Sequence, residues 1–166
     1  MNHHRRTFLR GLAYAAAAPL ISITANAEQH KFMQERPLPL NADLVLDFVR
    51  SAHRDLERVK ELLDKEPNLL NATWDWGKGD FESGIGGAGH MGLTEIAEYL
   101  IAKGARMDIF VATMLGKMDI VRPMLDAFPN LKTSKGPHGI TLLAHAEKGG
   151  EKAKSMLEYL QSIGAS

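Results

Sequence analysis

Both tryptophans of the chain, three carboxylates and a histidine crowd into one stretch: Trp74-Asp75-Trp76-Gly77-Lys78-Gly79-Asp80-Phe81-Glu82-Ser83-Gly84-Ile85-Gly86-Gly87-Ala88-Gly89-His90. Carboxylates and imidazoles held together can bind a divalent cation or exchange a proton as acid and base. A second polar turn, Lys132-Thr133-Ser134-Lys135-Gly136-Pro137-His138-Gly139, adds His138. The residues whose chemistry could meet in a cleft are therefore Asp80, Glu82, His90 and His138, with Trp74, Trp76 and Phe81 as aromatic contacts. No His-x-x-x-His or comparable ligand spacing lies on one helix, so this reading assigns no metal ligand set, no cofactor and no catalytic residue. His53 and His145 are noted and given no role. Ser83 and Thr141 read as helix-start residues, because no histidine–acid partnership adjoins either. Gly84-x-Gly86-Gly87-x-Gly89 has no strand before it and no Gly-Lys-Ser/Thr after it, which argues against a phosphate-binding loop. Helical glycine costs about 1 kcal/mol relative to alanine, so this run predicts a close approach against the helix backbone. The expected occupant is Trp74, Trp76 or Phe81, or else a ligand.

The elements that must position these groups are short amphipathic helices broken by Gly, Pro and Asn, and no convincing alternation of apolar and polar residues predicts an extended sheet. Self-similarity organises them. Asp55-Leu56-Glu57-Arg58-Val59-Lys60-Glu61-Leu62-Leu63 matches Leu93-Thr94-Glu95-Ile96-Ala97-Glu98-Tyr99-Leu100-Ile101 in pattern, and Met118 to Leu125 and Met156 to Leu160 supply further copies. Each sets apolar residues three and four apart. Taking Arg54, Gly92, Gly116 and Gly150 as equivalent gives spacings of 38, 24 and 34 residues, in the range of stacked repeats. Gly104-Ala105 and Gly164-Ala165 supply glycines that stop two of these helices. The predicted shared seam is Leu62, Leu63, Ile96, Leu100, Val121, Leu125, Leu157 and Leu160.

The pattern resembles the ankyrin repeat, whose unit is a turn plus two antiparallel helices with a Gly-x-Thr-Pro-Leu-His-x-Ala start. Gly139-Ile140-Thr141-Leu142-Leu143-Ala144-His145-Ala146 keeps the Gly, Thr, Leu and Ala of that start and replaces its Pro and His. In the preceding full unit Ser83, Ile85 and Ala88 occupy the Thr, Leu and Ala positions, and Asp80 stands at the turn aspartate. The stretch from Gly104 to Gly116 is too short for a finger, so its helix is expected to start directly after Asp108. The resemblance implies an all-α solenoid of about four helical hairpins over 43–166, the third lacking its finger. Each hairpin buries too little alone and is stabilised by its neighbours.

Ahead of that domain, residues 1–27 resemble a bacterial twin-arginine signal peptide. Arg5-Arg6 with Phe8-Leu9, the apolar tract 12–25 and Ala25-Asn26-Ala27 carry the likeness. The tract falls short of the ~20 apolar residues of a spanning helix. Residues 28–42, with Pro37 and Pro39, read as an extended linker ending where Asn41 or Asp43 caps a helix. The resemblance implies export to the periplasm, with folding completed before transport.

Charge narrows the partners. The chain has 20 Lys and Arg against 20 Asp and Glu; with Arg5, Arg6 and Arg10 in the leader, 17 basic residues face 20 acidic ones in the remainder. A basic footprint for nucleic acid is absent. No cysteine is present, which excludes disulfides, thiolate metal sites and thiol catalysis. The leading expectation is an interaction module that holds a protein partner through its fingers and concave face, with no membrane contact after signal cleavage. The alternative is a small-molecule- or metal-binding protein, possessing enzymatic chemistry or not, built on the 74–90 segment and His138.

Overall fold

Side chains start the helices that line the interior. A computed structural model describes residues 37–166, and the expected signal peptide and most of the linker lie outside them. Asn41 accepts the backbone N–H of Leu44 and opens α1 (Ala42–Ser51), and Asp55 opens α2 (Leu56–Lys65) by accepting that of Arg58. After a 3-10 turn at Pro67–Asn71 the chain forms a hairpin of β1 (Thr73–Asp75) and β2 (Phe81–Ser83). Ser83 then caps α3 (Gly84–Met91), followed by α4 (Thr94–Ala102). Asp108 caps α5 (Ile109–Met114) through Val111 N–H, so the third hairpin does begin directly after Asp108 and has no finger. Its second helix is α6 (Met118–Ala127). Thr141 caps α7 (Leu142–Lys148), and α8 (Lys154–Ser162) ends the chain. Such caps contribute about 1 kcal/mol each by satisfying N–H groups that the first helical turn leaves free.

Among the described residues the protein is thus predominantly helical, with eight α-helices that touch in four consecutive pairs and one small two-stranded sheet. Within Leu40–Ser166 the first helices of successive pairs lie side by side, α1 on α3, α3 on α5 and α5 on α7. The shortness of α5 also lets α3 touch α7 directly. No helix of the described residues is long and apolar enough to cross a membrane.

Two apolar clusters fill the interior, where one continuous seam was expected. The first gathers Phe48, Val59, Leu62, Leu69, Leu100, Val111 and Met114; the second gathers Ala112, Val121, Leu125, Leu142, Met156 and Leu160. They meet across α5, which sends Val111 and Met114 one way and Ile109 and Ala112 the other. Leu157 is only half-buried, and Met156 takes the inward position expected of it. Gly104 (φ +95) and Gly164 (φ +64) stop α4 and α8 in the left-handed conformation. The following Ala105 and Ala165 N–H groups return to Leu100 and Leu160 carbonyls, which is why Gly-Ala recurs there.

The finger segment corrects the expectation of no strand. Thr73, Trp74 and Asp75 pair with Ser83, Glu82 and Phe81, and the run is too short for composition to reveal. Its period of two explains the segment's design. Trp74 and Glu82 stand opposite each other and share one face of the hairpin, while Asp75 and Phe81 share the other.

Candidate functional site

Alternation along the hairpin sorts the expected site residues. Trp74 packs on the first apolar cluster, and the Glu82 side chain is wholly buried. Phe81, on the opposite face, is 61% exposed and covers nothing. The expectation that Trp74, Trp76 or Phe81 fills the glycine-lined hollow is therefore corrected. Neighbouring helices fill it: a methyl at Gly84 would meet Phe48 of α1, and one at Gly89 would press on Val111 of α5. At Gly87 a Cβ would come within 2.5 Å of His53 Cε1. Gly87 has no side chain because the His53 ring lies there.

Four donors converge as a result. His53 Nε2 lies 3.2 Å from Glu82 Oε2, His138 Nε2 lies 3.4 Å from the same oxygen, and His90 Nδ1 lies 3.0 Å from Glu82 Oε1. One ligand atom from each of His53, Glu82, His90 and His138 falls within 4.8 Å of every other. Bonds of ~2.1 Å to a tetrahedral metal set donors roughly 3.4 Å apart, close to the separations seen around Glu82. The three imidazoles also pack on one another, with ring centroids 4.9 Å apart for His53 and His90 and 5.3 Å for His90 and His138.

Hydrogen bonds outside the cluster orient two of the rings. His53 Nδ1 is 2.8 Å from the Val49 carbonyl oxygen, four residues back on α1, so this nitrogen donates. His138 Nδ1 is 2.7 Å from Asp80 Oδ2, and the His138 backbone N–H donates to Asp80 Oδ1 at 2.9 Å. Asp80 thus clamps a residue whose φ of +58 is unfavourable for a side-chain-bearing residue, across 58 positions of sequence. Asp80 and His138 each lie three residues before the cap of their helix, Ser83 and Thr141. Equivalent points of the two fingers therefore bond each other, across the level where the third unit has no finger. Trp76 completes the shell: its Nε1–H donates to Glu82 Oε2 at 2.8 Å, and its ring stands 6.2 Å from that of His53 and 5.8 Å from that of His138.

With Nδ1 of His53 and of His138 committed as donors, a neutral imidazole at either position turns an Nε2 lone pair toward a carboxylate oxygen. Facing lone pairs repel unless a cation sits between them. Glu82 Oε1 and His90 Nδ1 add to the imbalance, since each is buried without an aligned hydrogen-bond partner. Burial alone would raise the Glu82 carboxyl; the His53 and His90 imidazoles and the Trp76 N–H outweigh it and hold the group below the usual carboxylate range. The Glu82 carboxylate in turn raises His53. Asp80 is lowered, first by the His138 backbone N–H.

The structure so brings together Asp80, Glu82, His90 and His138 with Trp76, and leaves Trp74 in the core and Phe81 outside. His53 is the ligand-type residue that sequence reasoning passed over. With Arg54 equivalent to Gly92, His53 and His90 end the first helices of consecutive units one position out of register, and that recurrence was the available signal. His145 lies apart, with Nδ1 on the Thr141 carbonyl and its ring against Phe110; burial lowers it. Compared with known proteins, the chain matches no family model and no curated protein.

Proposed function

We propose that the chain is a helical-repeat scaffold of the ankyrin kind that binds one divalent transition-metal ion between His53, Glu82, His90 and His138. The observation that carries this reading is the aim of the His53 and His138 lone pairs at the Glu82 carboxylate, both rings having spent their other nitrogen on donation. A divalent cation turns that repulsion into coordinate bonds and satisfies Glu82 Oε1 and His90 Nδ1 at once. Three imidazoles and one carboxylate suit zinc, iron, nickel or copper, and exclude the all-oxygen preference of calcium and magnesium. Asp80 plays the outer carboxylate that fixes the His138 tautomer. Export by the twin-arginine route to the periplasm belongs to the same reading, because a folded substrate can carry an ion chosen inside the cell.

Metal analysis of the purified chain, as isolated and after chelation and reloading, tests the proposal. One equivalent of a first-row metal is expected, lost in Glu82→Gln and in His90→Ala. Metal at a hundredfold its Kd should add about 2.7 kcal/mol to stability. A chain that neither carries nor takes up metal, and whose melting temperature ignores added zinc, would leave the cluster as a protonated His53–Glu82 pair and overturn the reading.

A second reading, an interaction module that holds a protein partner through its fingers, is supported by Phe81. This ring is exposed beside a groove of about 450 Å³ between the fingers, lined by Asp80, Asp108, Phe110, Lys135 and Pro137. Phe81→Ala should then abolish partner crosslinking in cell extracts while metal content stays unchanged.

A further inference from the structure

Solvent reaches the four donors from one side. The side chain of Glu82 is fully buried and that of His90 is 9% exposed, whereas His53 is 18% and His138 33% exposed. The accessible edge therefore runs from His53 to His138, and Trp76 borders it through its contacts with both rings and with Glu82. Beside Trp76 stands a cation. The Arg50 guanidinium carbon lies 5.7 Å from the centroid of the Trp76 ring. Arg50, on the last turn of α1, and His53, just past its end, both border the Trp76 ring.

Arg50 is exposed and has no carboxylate partner among the described residues. Arg58 shows the contrast: on α2 it is paired with both Asp47 and Glu61. Arg54, next to His53 in sequence, likewise pairs with no acid among the described residues. Three neutral imidazoles and the Glu82 carboxylate leave a divalent ion with a net charge of about +1, which Asp80 beside His138 offsets, and two arginines without acidic partners among the described residues make the surroundings positive. An anion on the open side would be attracted by all three. A guanidinium held beside an indole by cation–π attraction can present its planar fork to a carboxylate or phosphate.

We propose that the metal expands to five-coordinate along the His53–His138 edge, bordered by Trp76, and that this fifth position takes an oxyanion, carboxylate or phosphate, gripped by Arg50. The inference rests on the reading of the cluster as a metal site. It makes the bound ion a receptor for a small anionic ligand and assigns Trp76 and Arg50 to ligand recognition, with Arg54 contributing charge.

Cobalt(II) loaded into the full chain gives a visible spectrum that reports coordination. Acetate and inorganic phosphate, titrated separately at constant ionic strength set with sodium perchlorate, should each or singly produce a saturable shift. The anion that produces it identifies the source of the oxyanion. Arg50→Gln should keep stoichiometric cobalt and weaken the responding anion about tenfold, the loss expected for one charge-assisted contact. Cobalt bound at one equivalent with a spectrum that ignores both anions means a closed site and overturns the inference while the metal reading stands. A shift of equal affinity in Arg50→Gln overturns the role of Arg50. Failure to bind cobalt overturns the metal reading and this inference with it.

Discussion

The finger that ends at Ser83 and the finger that ends at Thr141 enter their helices by the same device and differ in the residue before it. Ser83 Oγ accepts the Gly86 N–H at 3.2 Å, and Thr141 Oγ1 accepts the Ala144 N–H at 3.3 Å. One residue earlier stand Glu82, wholly buried, and Ile140, half-buried. The first finger carries a paired hairpin, the second a single bridge from Lys135 to Thr141. An apolar residue evidently suffices at this position for the finger to form. A buried carboxylate there must otherwise offset a desolvation cost of several kcal/mol, so its reason lies in the groups it faces. Three residues before each cap the comparison repeats: Asp80 and His138 differ in charge and bond each other. In the proposed metal site the second finger supplies His138 as a ligand, and the first supplies its anchor, Asp80.

Exchange between the fingers is the strongest way to break this comparison. Glu82→Ile places the second finger's residue in the first, and metal affinity should fall more than about a hundredfold, since a ligand does more than the outer-shell groups whose loss costs 10–100-fold. In chelator the variant should keep its helical content and melt lower than the parent, because the Trp76 N–H and the His53 ring lose their acceptor. A metal-free variant that fails to fold would give Glu82 the structural duty that Ile140 argues it lacks. Gly87→Ala comes next. Its methyl would stand 2.5 Å from His53 Cε1 and must turn the ring from the Val49 carbonyl. Metal affinity should drop about tenfold or more, while the roughly 1 kcal/mol gained in helix propensity offsets part of the steric cost in the metal-free protein. Isothermal titration and thermal unfolding in chelator separate the two effects, and unchanged affinity would remove His53 from the ligand set.

Asp80→Asn sharpens the comparison at a similar magnitude. An amide that still accepts the His138 backbone N–H turns its NH2 toward Nδ1, which must then accept. The ring proton moves to Nε2 and points at Glu82, a tautomer that cannot ligate. A loss of metal affinity of about 10–100-fold is expected with helical content unchanged by circular dichroism. An affinity equal to the parent's would mean that Asp80 serves only the strained backbone at His138.

The helical pairs were legible because stripes at three and four residues survive degeneration of any signature: Leu62, Ile96, Leu100, Val121, Leu125 and Leu160 are all buried. Asp108 was legible because too few residues precede it for a finger. The glycine run correctly signalled close approach, yet the approaching groups, Phe48, His53 and Val111, come from other units, and local sequence holds no record of which neighbour presses on a bare backbone. The hairpin escaped because three residues per strand give too little alternation to count, although that alternation aims Glu82 inward and Phe81 out. His138 and Asp80 could be proposed to meet only from repeat geometry. Their atomic partnership depends on a left-handed residue at His138, which composition does not announce.

The smallest effect compares the caps themselves. Ser83→Ala and Thr141→Ala each remove one side-chain acceptor from a first helical turn, and each should lower stability by about 1 kcal/mol, or a few degrees in melting temperature. In chelator the two losses should be equal, because the two caps make the same bond in half-buried surroundings. With metal bound they should diverge. Ser83 directly follows Glu82, so fraying the start of α3 loosens a ligand, and its loss should grow by the binding energy forfeited. Thr141 lies three residues beyond His138, with Gly139 between to absorb the movement, and its loss should stay the same. Equal losses in both states, measured by thermal unfolding, would mean that the finger holds Glu82 in place without help from the helix it caps, and that the rigidity of the site resides in the hairpin alone.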